Sequence, residues 1–211
     1  MQIVVLANEP RPEHMDGRMS PPWTLGQAAR IREAALADTL AVVAATPASR
    51  RVLALEGQTG WWLPDGFDVV AQRGGSLGNL LFGTFEDCFH VADEPVVLIG
   101  MDTPQVDVEH LVTVRMLLET TADAVVGLTP TGGTWLIGLR HLHPDAFSGV
   151  PASGHDTGEA QVERLQACGY RVSLTDELRE LGDVRDAVEL AALLPGSRLA
   201  DAVQAAVGPA R

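Results

Sequence analysis

Polar and charged side chains follow several apolar runs of this sequence, at the points where strands are expected to end. Asp102 comes soon after the apolar run 95–99, behind Gly100 and ahead of a Thr-Pro turn. Ligands of open α/β sheets bind outside the carboxyl ends of the strands, so this position is a candidate for chemistry. A carboxylate placed there can bind Mg²⁺ or Mn²⁺, or it can cap the following turn or helix. The position alone leaves both interpretations open.

The loop after the first apolar run contains basic residues that could bind a phosphate. It covers residues 8–22, is rich in Pro, and includes Arg11 and Arg18. A guanidinium group binds phosphate oxygens through paired N–H donors, so a nucleotide could lie here. From composition alone, a solvated surface loop is the simpler interpretation.

Two further loops contain candidate residues. Gly132 and Gly133 permit close approach of a ligand to the backbone, and Trp135 could line a pocket, although a hairpin turn explains the same residues. Asp183 precedes the last long helical segment, where it is expected as an N-cap or as a second carboxylate near a metal. These alternatives stay open at the level of the sequence.

Apolar runs alternate with amphipathic segments along the chain, which predicts an α/β layer fold. The predicted strands are 2–7, 51–55, 68–71, 95–99, 124–128, 134–139 and 170–174. The predicted helices are 24–46, 76–91, 106–119, 157–168 and 183–194. Since no linker divides the sequence, we predict a single domain over residues 1–196, followed by a C-terminal tail, 197–211.

Composition excludes several classes of function. The chain has 211 residues and a formal net charge of −13, which disfavours binding to nucleic acid or to an anionic membrane. All 15 basic residues are Arg, so neither a lysine Schiff base nor a P-loop lysine exists. The two cysteines, Cys88 and Cys168, form no metal-type spacing and predict no disulfide framework. No apolar run could span a membrane and the first residues do not resemble a signal peptide, so a cytoplasmic protein is expected.

Taken in order, the segments of this chain resemble the bacterial DUF2064 family, which includes glycosyltransferases provisionally assigned to arsenosugar biosynthesis. The segments that carry the resemblance are 6–12, 27–29, 38–40, 100–105, 122–128, 132–139, 149–151 and 183–186. The resemblance implies a GT-A-like three-layer α/β/α sandwich with a mostly parallel central sheet. It also implies a nucleotide or nucleotide sugar as ligand and a metal-dependent glycosyltransferase as the function.

The resemblance further implies roles for individual residues. Asp102 would be the catalytic carboxylate that binds Mg²⁺ or Mn²⁺, and Asp183 a second metal contact. Candidates for a catalytic base, by location after segment 149–151, are His155, Asp156 and Glu159. The residues expected to bind nucleotide or substrate are Ala7, Asn8, Arg11, Arg18, Gly100, Met101, Thr103, Gly132, Gly133 and Trp135.

The sequence also departs from the family pattern. Asn8 and Asp16 stand where the family usually has Lys, and Thr131 and Arg185 stand where it usually has Asp. Two other functions therefore compete with glycosyl transfer. One is a nucleotidyltransferase that releases pyrophosphate, and the other is a catalytically degenerate binding or scaffold protein of a biosynthetic pathway. A homodimer and a protein partner of that pathway are both compatible with the sequence.

Overall fold

A seven-stranded sheet forms the centre of the molecule in the computed structural model, which describes residues 1–15, 17–152, 154 and 156–208. Its strand order is β3-β2-β1-β4-β6-β5-β7, and in the described residues only β6 runs antiparallel to its neighbours. The sheet is therefore mostly parallel, as predicted. The strands are β1 Gln2–Asn8, β2 Arg50–Glu56, β3 Asp68–Ala71, β4 Val96–Gly100, β5 Ala124–Leu128, β6 Thr134–Leu139 and β7 Val172–Thr175.

Helices connect most of the strands, and a side-chain cap marks the start of each α-helix except α4. Thr24 caps α1, accepting a hydrogen bond from the Gln27 backbone N–H. The third helix begins two residues later than predicted because the Asp107 carboxylate accepts the His110 backbone N–H at 2.9 Å. The helices are α1 Leu25–Ala45, α2 Leu77–Val91, α3 Val108–Thr120, α4 Thr157–Ala167, α5 Val184–Leu193 and α6 Arg198–Val207, with a 3-10 turn at Pro12–His14.

Apolar side chains of both sheet faces pack against helices, which gives three layers. On one face, Ile3 and Ile99 pack in a cluster with Leu36 of α1 and Leu111 of α3. On the other face, a second buried cluster contains Phe85 of α2 and residues of α4. The predicted α/β/α sandwich is therefore confirmed.

A third buried cluster joins α1 to α5 and α6. Leu199 and Val203 of α6 are buried in it, and the Asp38 carboxylate of α1 accepts the Leu199 backbone N–H at 2.9 Å. Met19 and Trp23 fill the same cluster, at 3% and 5% exposure. The segment predicted as a tail thus contributes a helix that helps to fix the long loop after β1.

Among the helices that the structure describes, none combines the length and the apolar character needed to span a bilayer. Both cysteines are free thiols; Cys88 is buried and Cys168 is half-buried. Burial raises the pKa of the Cys88 thiol, as expected for a small apolar core residue.

Candidate functional site

A cavity of about 300 Å³ lies where the carboxyl ends of β1, β2 and β4 meet. These strands are parallel and adjacent, so their terminal residues come together at one edge of the sheet. The loop after β1 and the second turn of α1 supply the other walls. We call this space the strand-end cavity; its described lining is Asn8, Glu9, Pro10, His14, Met15, Arg18, Arg32, Glu56, Met101 and Asp102.

Gln72, which follows β3, ties the ends of the strands together beside the cavity. Its side-chain amide donates to the Ala7 carbonyl at 2.7 Å, to the Ala54 carbonyl at 3.1 Å and to the Asn8 side-chain oxygen at 3.2 Å. The Asn8 backbone N–H in turn contacts the Met101 sulfur at 3.3 Å. The amide thus positions Asn8 at the cavity wall and adds hydrogen bonds between the segment after β3 and the neighbouring strands β1 and β2.

An ion pair between Arg32 and Asp102 crosses the cavity wall. The Arg32 guanidinium donates to the Asp102 carboxylate at 2.7 Å. The Arg32 side chain is only 12% exposed, whereas that of Asp102 is 38% exposed. Helix α1 therefore supplies a mostly buried guanidinium group to the carboxylate that follows β4. Arg18 provides a second guanidinium to the same cavity.

Glu9 forms another charged part of the wall. Its carboxylate accepts from Arg11 at 2.6 Å and from the Gln58 backbone N–H at 2.5 Å. The Arg11 hydrogen bond, followed by that of Gln58, holds the pKa of Glu9 below its ordinary value, so Glu9 is ionised at neutral pH. Gly57 is required beside it, since a Cβ there would lie 2.5 Å from the Glu9 Cβ.

The segment before α5 supports Asp102 from the other side. The Leu181 backbone N–H donates to the Asp102 carbonyl at 2.6 Å. The neighbouring Glu180 carboxylate accepts the Thr131 hydroxyl at 2.9 Å. Segment 180–181 therefore links the backbone of Asp102 to the β5–β6 turn.

Of the residues predicted to act on a ligand, four line the strand-end cavity together: Asn8, Arg18, Met101 and Asp102. Others lie beside it without lining it. Arg11 binds Glu9, Ala7 is buried at 2% exposure beneath Gln72, and Gly100 ends β4. Thr103 is buried at 1% exposure, and its hydroxyl finds no partner among the described residues.

The predicted Gly-Gly loop forms the β5–β6 hairpin, away from the described lining of the cavity. Trp135, predicted to line a pocket, is 1% exposed, and its indole N–H donates to the Asp176 carbonyl at 2.9 Å. The Gly132 carbonyl accepts the Gly158 backbone N–H at 2.8 Å, so α4 packs directly on the turn. These contacts give Gly132 and Trp135 a packing role in the hairpin.

The remaining predicted residues occupy helix starts. Asp183 caps α5, accepting the Asp186 backbone N–H at 3.0 Å. Together with Arg185 and Arg18, it also lines an open surface pocket next to the strand-end cavity. Asp156 is exposed at the N-cap position of α4 and makes no side-chain capping bond. The predictions for His155 and Asp16 lie outside the described residues.

No group of three or more His, Cys, Asp or Glu side chains able to hold a metal ion occurs within the part of the chain that the structure describes. Asp102 and Asp183 line different pockets. Asp183 accepts the hydrogen bond that caps α5, which is one of the two roles that the sequence left open for it. A metal in this cavity would therefore need ligands beyond these side chains.

Sequence reasoning missed several residues of the cavity. Glu56 directly follows the predicted strand 51–55, so the strand-end rule that selected Asp102 could have found it. Arg32 gave no such signal, because it lies inside a helix and reaches the site only through the packing of α1 on the sheet. Gln72 also follows a predicted strand, and its side chain acts on the backbone of neighbouring strands.

Solved structures share this fold. A crystallised protein from Desulfovibrio desulfuricans G20, provisionally named a nucleotide-diphospho-sugar transferase, has a TM-score of 0.87 and 22% identity, covering 96% of this chain and 93% of that chain. The 2-C-methyl-D-erythritol 4-phosphate cytidylyltransferase from Thermus thermophilus has a TM-score of 0.55 and 17% identity, covering 92% and 98%. Rv0371c from Mycobacterium tuberculosis H37Rv, crystallised with manganese, has a TM-score of 0.50 and 20% identity, covering 90% and 96%.

At these identities the likenesses establish the fold, which is that of nucleotide-diphospho-sugar transferases and cytidylyltransferases. No curated protein matches the chain in sequence. A family model does match: the one described as an uncharacterized protein conserved in bacteria (DUF2064) matches residues 30–154, more than half of the chain. The chain therefore belongs to the DUF2064 family, as its motifs predicted.

Proposed function

We propose that this chain is a metal-dependent glycosyltransferase that binds a nucleotide-activated sugar with its diphosphate in the strand-end cavity. The observation that carries the proposal is the meeting of Arg18, Arg32 and Asp102 at the carboxyl edge of a nucleotide-binding type of sheet. Two guanidinium groups offer paired donors to phosphate oxygens. The name of the Desulfovibrio protein supports a nucleotide sugar as the ligand class.

The charges of the cavity fit a divalent cation that is shared with a phosphate. Three carboxylates, of Glu9, Glu56 and Asp102, face the cavity against the two guanidinium groups of Arg18 and Arg32. A diphosphate would add further negative charge to this space, which favours a cation that enters with it. Mg²⁺ in nucleotide sites is commonly held by one or two carboxylates together with substrate phosphates. Asp102 would hold the cation, which would offset the charge of a departing diphosphate.

The manganese complex of Rv0371c supports testing Mn²⁺ as well as Mg²⁺. Asp183 is a less suitable ligand than the sequence alone indicated, since its carboxylate caps α5 and faces the neighbouring pocket. His155 and Asp156 stay candidates for a catalytic base by location only.

A nucleotidyltransferase is the second candidate, because cytidylyltransferases share the fold. The two reactions differ in their products. A nucleotidyltransferase releases pyrophosphate from a nucleoside triphosphate, whereas a glycosyltransferase releases a nucleoside mono- or diphosphate from a sugar donor. Phosphorus NMR of incubations with each class of donor separates them directly.

Calorimetric titration tests whether the cavity binds such ligands at all. We expect one nucleoside diphosphate or nucleotide sugar from a panel to bind more tightly with Mn²⁺ than with EDTA. Arg18→Gln should weaken that binding about tenfold or more, since a hydrogen bond to a charged group is lost.

Arg30→Gln is the matched control, because Arg30 is exposed on α1 and the charge change is the same. The control should bind like the wild-type chain. If no member of the panel binds with or without Mn²⁺, the chain is a degenerate binding or scaffold protein and the proposal is wrong.

A further inference from the structure

The contact between Arg32 and Asp102 places a cation of the protein at the carboxylate that a divalent cation would use. The two groups lie 2.7 Å apart, and the Arg32 side chain is 12% exposed. A mostly buried guanidinium is poorly screened by solvent and salt. Any second cation at Asp102 therefore meets the Arg32 charge at short range unless Arg32 changes partner.

Arg32 lines a cavity that is large enough to admit a phosphate. Arg18 lines the same cavity, as does the neutral side chain of Asn8 at the end of β1. A guanidinium has five N–H donors, so one group can bind either a carboxylate or a phosphate in a forked geometry. A phosphate in this cavity is thus an alternative partner for Arg32.

We propose that Arg32 holds Asp102 while the cavity is empty and transfers to the phosphate when the ligand enters. The Arg32 charge leaves the Asp102 carboxylate at the same moment and no longer repels the divalent cation there, so cation and phosphate bind cooperatively and each binds weakly alone. The inference rests on the proposed function for its second step only. The first step, competition between Arg32 and a cation for Asp102, requires no nucleotide.

The first step is tested by titrating Mn²⁺ alone and measuring free Mn²⁺ by electron paramagnetic resonance. The wild-type chain should bind Mn²⁺ weakly, and Arg32→Gln should bind it about tenfold more tightly. Arg30→Gln removes an exposed Arg of the same helix and should leave the affinity unchanged. Adding Asp102→Asn to Arg32→Gln should abolish the gain, because the carboxylate that Mn²⁺ reaches is gone.

The second step is tested by calorimetric titration of UDP at several Mn²⁺ concentrations. In the wild-type chain, saturating Mn²⁺ should tighten UDP binding at least tenfold, and UDP should tighten Mn²⁺ binding by the same factor. In Arg32→Gln this factor should become several-fold smaller, because only the direct attraction between Mn²⁺ and the diphosphate remains, while Arg32→Lys, which keeps the charge, should retain most of it. Circular dichroism and thermal unfolding of each variant verify that it is folded.

If folded Arg32→Gln binds Mn²⁺ no more tightly than the wild-type chain does, the inference is wrong, whatever the result with UDP. A wild-type coupling factor that Arg32→Gln preserves overturns it as well. If UDP and the other nucleotides fail to bind while Arg32→Gln still gains Mn²⁺ affinity, the competition at Asp102 stands and the proposed function fails. The two results are therefore distinguishable.

Discussion

Single side chains bring the backbone ends of β1, β2 and β4 into one site. Asp102, at the end of β4, owes its surroundings to Arg32 from a helix on one side and to the Leu181 backbone on the other. The Gln72 side chain links β1 and β2 in a similar way, through hydrogen bonds to a carbonyl of each strand. The positions of Asn8 and Asp102 thus depend on Gln72, Arg32 and Leu181, which lie elsewhere in the chain.

Gln72→Leu tests this positioning role. The substitution removes the amide's hydrogen bonds to the carbonyls of Ala7 and Ala54, so the free energy of unfolding should fall by about 0.5–1.5 kcal/mol. Because Asn8 also loses its partner, nucleotide affinity should fall in the same variant. Urea denaturation and calorimetry measure the two effects.

Gln204→Leu is the control for that substitution, since Gln204 is exposed on α6. It should change neither stability nor affinity appreciably. A Gln72→Leu variant as stable as the wild-type chain would contradict the role assigned to the amide.

The sequence identified residues of the site only where position along the chain determines position in space. Asn8 ends β1 and Asp102 follows β4 by two residues, so the topology of an α/β sheet was enough to find them. Trp135 stands beside the Gly-Gly turn, at the start of the predicted strand 134–139. Its indole ring packs inward, which alternation along a strand does not reveal for a residue next to a turn. Arg32 was unpredictable because its role depends on how α1 packs on the sheet.

The described strands and the helices α1 to α5 were predictable to within a few residues. Their periodicity and caps are local properties, as with Thr24 and Asp183. The strand order was not predictable, because β6 enters between β4 and β5 as an antiparallel strand only through pairing of distant segments. β7 begins later than expected, since its register with β5 starts at Val172.

One ion pair joins β5 to β7 and makes the sheet edge sensitive to acid. Asp123 accepts hydrogen bonds from the Arg171 guanidinium at 2.8 and 2.9 Å and from its backbone N–H at 3.1 Å. These bonds, led by that of the guanidinium, lower the pKa of Asp123 well below its ordinary value. Stability from this pair is therefore present above the unfolded pKa and is lost as pH falls through the folded one.

Asp123→Asn should reduce the melting temperature at pH 7 by a modest amount, because Arg171 is largely exposed. The difference from the wild-type chain should shrink as pH falls below about 4, where the unfolded carboxyl group becomes protonated. Asp201→Asn, at an exposed position on α6, should show no such pattern. A deficit of Asp123→Asn that stays constant from pH 7 to pH 3 would contradict the assignment.

At the scale of the whole molecule, helices α5 and α6 support the loop that forms one wall of the strand-end cavity. Met19 and Trp23 are buried against α1, α5 and α6, and they flank the loop from which Arg18 reaches the cavity. α5 lies where the sequence predicts a helix, whereas α6 lies in the Ala-rich segment predicted as a C-terminal tail. We propose that the described part of this segment belongs to the same domain.

The net charge of −13 makes an anionic ligand unfavourable over most of the surface. Binding of a diphosphate must therefore rely on the local cations of the strand-end cavity and on a divalent cation that enters with it. Salt should affect such binding less than it affects binding by an exposed basic patch, because Arg32 is mostly buried.

Anomalous diffraction from crystals grown with UDP and Mn²⁺ tests the central claim most directly. We expect an anomalous manganese peak beside the Asp102 carboxylate, and a diphosphate in the strand-end cavity within hydrogen-bond distance of Arg18 and Arg32. UDP bound elsewhere, for instance in the crevice between Ser76 and Phe147, would contradict the account. So would a diphosphate in the cavity with Arg32 still bound to Asp102 and manganese at another site.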